Sequence, residues 1–196
     1  PTLAVDASGV YVSGVTGSTN FPTMNPGGGA FFQGANGGGN DYAITRFSTS
    51  GAMQWSTYYG GAGNEFFGLS GGKVAVNSSN LYVAVRTFGT GVPLQTLAGS
   101  YNQTYAGGQE SVLVEFSKSD NSRNWASYFG GSNTDIIWGI AASDSYIYGT
   151  GVTLSSSGAG FPVTNPGGGA FYDGTFSSLN HTFLAQFTAC EPETNT

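Results

Sequence analysis

The chain has 196 residues, of which only 8% are charged, and a net charge of −6 with 5 Lys plus Arg. With so few cations and no basic run, no surface can track phosphates, which sets nucleic-acid binding aside. An aromatic content of 14% with 33 glycines excludes disorder and favours short strands joined by many turns over long helices.

Taken in chain order, the first segments read as four strands. "TLAVD" is strand A, "VYVSGVT" strand B, "DYAITRF" strand C and "MQWSTYY" strand D. Each mixes β-branched and aromatic residues with small or polar ones and ends in turn residues. "DASG" joins A to B and "STSG" joins C to D. Their Asp, Ser and Gly bond local backbone and tolerate unusual dihedrals. A second unit follows, with A near 72–77, B at 80–87, C at 110–117 and D at 123–129. A third has A near 138–143, B at 145–153 and C at 181–188, and there the pattern stops.

These units are copies. "QWSTYYGG" and "NWASYFGG" put Trp55 and Trp125 70 residues apart. "NFPTMNPGGGAFFQG" and "GFPVTNPGGGAFYDG" put Phe21 and Phe161 140 apart. Phe47, Phe116 and Phe187 close the three C strands, and Tyr11, Tyr82 and Tyr148 mark the three B strands. Repetition on this scale signals a repeat architecture. The predicted fold is all-β, with antiparallel four-stranded blades of the β-propeller type. Residues 1–68 form one blade, 69–139 a second and 140–189 a third without its outer strand; 190–196 are a linker or tail. About two and three-quarter blades cannot close a ring, since closure takes about 4–8. The third C strand should offer an open edge, and open edges are pairing sites. The expected partners are further blades of the same polypeptide or neighbouring subunits, with a glycan or surface protein as a further class.

"WSTYYGG", an acidic loop, "AVDASGVYVSG", "FPT" and "DYAITRF" together resemble the bacterial β-propeller repeat called SBBP. The resemblance covers nearly the whole chain except its last residues. It implies a propeller fold and residence in large secreted or cell-surface bacterial proteins, often beside adhesin-like modules. It implies no catalytic residues. The second repeat departs from the pattern with "VPLQTLAGSYNQTYAGG" in place of "FPTMNPGGGAFF", and His181 stands where Asp41 and Glu110 stand in the other two.

Several positions are candidates for chemistry. The B–C loops 17–40, 88–109 and 154–180 are long, and loops beyond about 12–15 residues are usually functional or disordered. They carry Phe31, Phe32, Phe171 and Tyr172, which either line a binding face together with the D–A loops or seal blade edges. Glu65 and Asp135 recur in the D–A loops, and Asp41 and Glu110 before strand C. These carboxylates either bind a ligand such as Ca²⁺, which wants six to eight oxygens, or accept N–H groups in their own turns. "NPGGGAFF" reads as a turn rather than a phosphate cradle, because neither a helical period nor a Lys follows it. Trp55 and Trp125 either stack on sugars or pack between blades. One His and one Cys exclude catalytic triads and most metal clusters. Cys190 either ends the last strand as a small residue or pairs outside the chain. Pro1 opens the sequence without a basic n-region, which fits a mature, trimmed or partial chain. The expected function is a non-catalytic structural or adhesive module, secreted or on the cell surface, with no resident cofactor. A glycan- or protein-binding propeller and a carboxylate-based glycan hydrolase are the alternatives.

Overall fold

The computed structural model describes residues 1–65, 72–177 and 180–189. Cys190 and the tail assigned to 190–196 lie outside the described residues. The described residues contain eleven strands and no helix: β1 (Thr2–Asp6), β2 (Gly9–Thr16), β3 (Asp41–Phe47), β4 (Met53–Tyr59), β5 (Lys73–Val76), β6 (Asn80–Thr87), β7 (Glu110–Ser117), β8 (Arg123–Phe129), β9 (Asp135–Ala142), β10 (Tyr146–Thr153) and β11 (His181–Thr188). They form three antiparallel sheets, ordered β1-β2-β3-β4, β5-β6-β7-β8 and β9-β10-β11. The all-β class therefore stands as expected, with three antiparallel sheets of which the third has three strands among the described residues.

The outermost strand of each complete sheet carries the same irregularity. Arg46 faces Trp55 and Phe47 faces Met53, so Gln54 is an extra residue; likewise Asn124 lies between Arg123 and Trp125 in β8. Such bulges turn the strand end and sharpen the local twist. The third sheet has its bulge in β9 instead. Thr150 faces Gly139 and Gly151 faces Ile137, so Trp138 is extra. This is where the sequence reading of strand A needs correction. The bulge allows pairing to continue back to Asp135, so residues 135–139 bond into the third sheet rather than belonging with the second repeat. Gly151 makes this possible: a Cβ there would lie 1.8 Å from the carbonyl oxygen of Ile136.

The sheets stack face to face. β1 lies against β5 and β5 against β9. Because side chains alternate across a strand, the middle sheet has two apolar faces. Leu81, Val83, Val85, Val112, Val114 and Phe116 meet Tyr11, Tyr42, Ile44, Trp55 and Tyr59 of the first sheet. On the reverse, Tyr82, Ala84, Leu113, Trp125 and Phe129 meet Ile137, Ile147, Phe161, Phe183 and Phe187. Trp55 and Trp125 are both buried, each facing the next sheet, so packing rather than sugar stacking accounts for them.

Repeat-equivalent positions differ in burial according to where the sheet lies in the stack. β7 is buried on both faces, whereas β11 alternates half-buried and exposed residues along its length. Ile44 and Leu113 are buried against the following sheet, while Leu184, at the equivalent position, is 75% exposed. At the opposite end, Val74 and Val76 pack against the first sheet, while their equivalents Leu3 and Val5 are 64% and 58% exposed.

Candidate functional site

The long B–C loops do two things in the complete sheets. First, each straps the outer strand. Met24 and Ser56 exchange backbone bonds of 2.9 and 3.0 Å, and Tyr58 N–H donates to Gln33 O at 3.0 Å. In the second sheet Gln95 and Ala126 do the same at 3.2 and 2.9 Å. This covers an edge that would otherwise be a template for pairing. Second, each loop delivers an aromatic ring to the junction. Phe31 lies 5.5 Å from Tyr59 and 5.8 Å from Phe116. Tyr101, its equivalent, lies 6.0 Å from Phe129 and 5.5 Å from Phe187. The tryptophan of strand D locks the loop by donating Nε1–H to its backbone, Trp55 to Phe31 O at 2.8 Å and Trp125 to Tyr101 O at 2.7 Å.

The glycine run of the loop is a turn. Gly27, Gly28 and Gly29 have φ of 79°, 66° and 92°, and Gly167, Gly168 and Gly169 repeat this at 70°, 62° and 80°. Asn25 and Asn165 cap the turns by accepting the N–H of Gly27 and Gly167 at 2.9 and 2.8 Å. Three successive positive φ values are open only to glycine at low cost.

The four candidate carboxylates come together in two pairs at the same end of the stack, and all four are buried. Asp41 and Glu65 form the first pair, around Gly60. A Cβ on Gly60 would lie 2.3 Å from Asp41 Oδ1 and 2.8 Å from Glu65 Oε2. Gly37 N–H donates to Asp41 Oδ2 at 2.6 Å, Gln33 Nε2 to the same oxygen at 3.3 Å, and Gly61 N–H to Glu65 Oε1 at 3.0 Å. The remaining oxygens, Asp41 Oδ1 and Glu65 Oε2, are buried without another donor. Glu110 and Asp135 form the second pair, around Gly130, whose Cβ would lie 2.8 Å from Glu110 Cγ and 3.0 Å from Asp135 Cβ. Ala106 and Gly107 N–H donate to Glu110 Oε1 at 2.5 and 3.0 Å, leaving Oε2 without a donor. Asp135 is fully served by Gly131 N–H at 2.6 Å, Ser155 Oγ at 2.8 Å and the Thr153 hydroxyl.

Two buried carboxylates this close do not both ionise freely. Burial, and then Asp41, push the Glu65 carboxyl up to about 7. Burial likewise pushes Glu110 up to about 7 against the N–H groups of Ala106 and Gly107, with the Asp135 charge adding to the rise. A proton held between Glu65 Oε2 and Asp41 Oδ1 satisfies both orphan oxygens. Calcium fits less well. N–H donors already occupy the other oxygens, and among the described residues no group of three or more His, Cys, Asp or Glu gathers. That falls short of the six to eight oxygens the ion takes.

The second glycine of each Gly-Gly serves the neighbouring sheet. A Cβ on Gly61 would lie 2.7 Å from Gly91 C, and one on Gly131 would lie 2.6 Å from Ser155 Oγ and 2.8 Å from Ala159 O. Both glycines therefore let the next B–C loop approach the strand end.

Sequence reasoning missed Gln33 and Gln103. Gly60 N–H donates to Gln33 Oε1 at 3.3 Å and Gly130 N–H to Gln103 Oε1 at 3.1 Å. Their own N–H groups donate to Thr57 Oγ1 and Ser127 Oγ, both at 2.8 Å. The signal was present: each glutamine stands two residues after the aromatic that meets the tryptophan.

The candidate aromatics separate. Phe31 is packed within the first junction, with Arg123 over its ring at 4.6 Å. Phe32 and Tyr172 are exposed at the loop surface. Phe171 is 96% exposed, although Phe31 and Tyr101 at the same position are held between sheets. His181 contacts Phe176, ring centroids 5.2 Å apart, and pairs with no carboxylate among the described residues. No protein-family model matches the chain, and no curated protein matches it.

Proposed function

We propose that the chain is a run of consecutive β-propeller blades that serves as a non-catalytic structural and binding scaffold. The supporting observation is the contrast between stack interior and stack ends. Leu3, Val5 and Leu184 are exposed at positions whose equivalents are half-buried or buried wherever a neighbouring sheet exists. A fourth sheet on each end would bury them in the same way. A right-handed sheet twist carried through a stack of such units closes into a ring of about 4–8 blades.

A catalytic reading has little to support it. A glycan hydrolase needs two carboxyl groups flanking a bond in a reachable cleft, and Asp41, Glu65, Glu110 and Asp135 are buried beneath the loops. Residence in a large secreted or cell-surface protein follows from the resemblance of "WSTYYGG" and "DYAITRF" to the SBBP repeat. The scarcity of charge, at 8%, is consistent with a stacked module whose faces are covered on both sides.

The test is the mass of the natural protein, denatured and native, by mass spectrometry and sedimentation. A denatured mass well above 20.1 kDa, or a native mass that is a multiple of it, is the expected result. A monomer of 20.1 kDa in both states, with Leu3 and Leu184 open to solvent-borne labels, would remove the support for this reading.

A further inference from the structure

We infer that the third sheet is a receptor for one added β-strand of the pattern Trp-x-(Ser/Thr)-Tyr-(Tyr/Phe)-Gly-Gly, clamped beneath the loop 161–176. This rests on the repeat reading above and names the partner of its open edge. In the two complete sheets the outer strand is held by the same four contacts. Trp Nε1–H bonds the carbonyl of Phe31 or Tyr101. The hydroxyl of Thr57 or Ser127 takes the N–H of Gln33 or Gln103. The Tyr58 and Tyr128 hydroxyls reach Ser18 O at 2.7 Å and Gly89 O at 3.1 Å. The Gly-Gly passes beneath the next loop.

The third sheet keeps the receiving edge and the loop with its aromatic and backbone groups, while the strand and the following loop over the Gly-Gly are not among the described residues. Its loop has the same glycine turn, and Phe171, at the place of Phe31 and Tyr101, is 96% exposed. β11 is the outermost strand of its sheet. Which of its backbone groups point outward follows from β3. Ser56 spends both backbone groups and Tyr58 its N–H on the strap, so Thr45 and Ala43 opposite them do not exchange bonds with β4. Tyr42, Ile44 and Arg46 therefore do, because the two kinds of pair alternate. Their equivalents in β11 are Thr182, Leu184 and Gln186. In the register of the complete sheets, the tryptophan faces Gln186 and the residue two positions later faces Leu184. The tryptophan and the last aromatic then flank Leu184, which is 75% exposed, as Trp125 and Phe129 accompany Leu113.

The experiment is fluorescence anisotropy of a labelled peptide of residues 53–61, MQWSTYYGG, titrated with the 196-residue chain. Saturable binding is expected, at least tenfold weaker when the peptide tryptophan is replaced by Ala and absent for a scrambled peptide. Gln186→Pro removes an outward N–H of β11 while leaving the bonds to β10, and should abolish binding without lowering the melting temperature. Edge positions tolerate proline in this way. Absence of binding, equal binding of the scrambled peptide, or full binding by Gln186→Pro would each overturn the proposal. The outcome is separable from the mass measurement: a monomer that binds the peptide keeps the edge and loses the ring, and a ring-sized assembly that ignores it does the reverse.

Discussion

Raising the pH from 4.5 to 7 should destabilise this protein, and Glu65→Gln should remove about half of the effect. In the folded chain Glu65 holds its proton up to about 7, against an ordinary value of 4.5. The folded state therefore binds more protons than the unfolded state throughout that window. Stability is full below about 4.5 and is lost as pH rises through the folded value. The difference, at about 1.4 kcal/mol per pH unit, amounts to roughly 3 kcal/mol for one carboxyl. Glu110, also raised to about 7, contributes a second loss of similar size. Asp6, Asp120 and Asp144 are held below their usual value of 3.8 and act in the opposite sense, but only at lower pH. Glutamine keeps an acceptor for Gly61 N–H and supplies an N–H for Asp41 Oδ1 without titrating. Urea unfolding at half-unit steps from pH 4 to 8 gives the slope directly. If wild-type stability rises with pH across this window, or if the Gln variant keeps the full slope, the shared-proton account of the pair is wrong.

Glycines divide into two kinds. Gly60→Ala places a methyl within 2.3 Å of Asp41 Oδ1 and should cost about 3 kcal/mol. Gly28→Ala meets nothing within 4 Å and should cost only about 1 kcal/mol for its φ of 66°, a contrast read by thermal melting. Trp55→Ala should cost about 4 kcal/mol through its cavity and the freed Phe31 carbonyl, seen as a lower urea midpoint. Leu113→Ser should cost about 3 kcal/mol, whereas Leu184→Ser should leave the melting temperature of the isolated chain within error. Lys118→Met should cost about 1–3 kcal/mol and loosen the turn end. Its ammonium bonds Asp6 at 2.6 Å, Asn77 O at 2.6 Å and Ser78 O at 3.0 Å, joining two sheets.

Strands were legible in the sequence because period-two alternation and turn residues are local signals. The three units were legible because Trp55 and Trp125 or Phe47, Phe116 and Phe187 recur at near-constant steps. The start of β9 was not, because its bulge at Trp138 depends on what Gly151 permits in the facing strand. The recurring carboxylates were visible as positions but not as pairs. Asp41 and Glu65 are joined by the return of the chain around Gly60, which no periodicity encodes. Nor could the sequence tell Phe31 from Phe171. They share a motif and differ in whether a strand among the described residues lies beside the loop to receive them.

The two junctions show what that motif preserves. The first has Asp at the start of strand C and Glu in the following loop; the second has Glu at the start of strand C and Asp at the start of β9. Either order gives one short and one long carboxyl reaching across a Gly-Gly, so the combined reach over the glycine is the same. Asp135, the short one, leaves room that Thr153 and Ser155 fill with hydroxyl donors, while Glu65 reaches to Asp41 instead. His181 breaks this series at the third unit, whose sheet has three strands among the described residues. In the two complete sheets the carboxyl at the start of strand C lies against the Gly-Gly that follows strand D. A strand that docks on β11 meets His181 rather than a carboxyl at that place, so the tryptophan bond to the carbonyl of residue 171, equivalent to those at Phe31 and Tyr101, takes more of the anchoring.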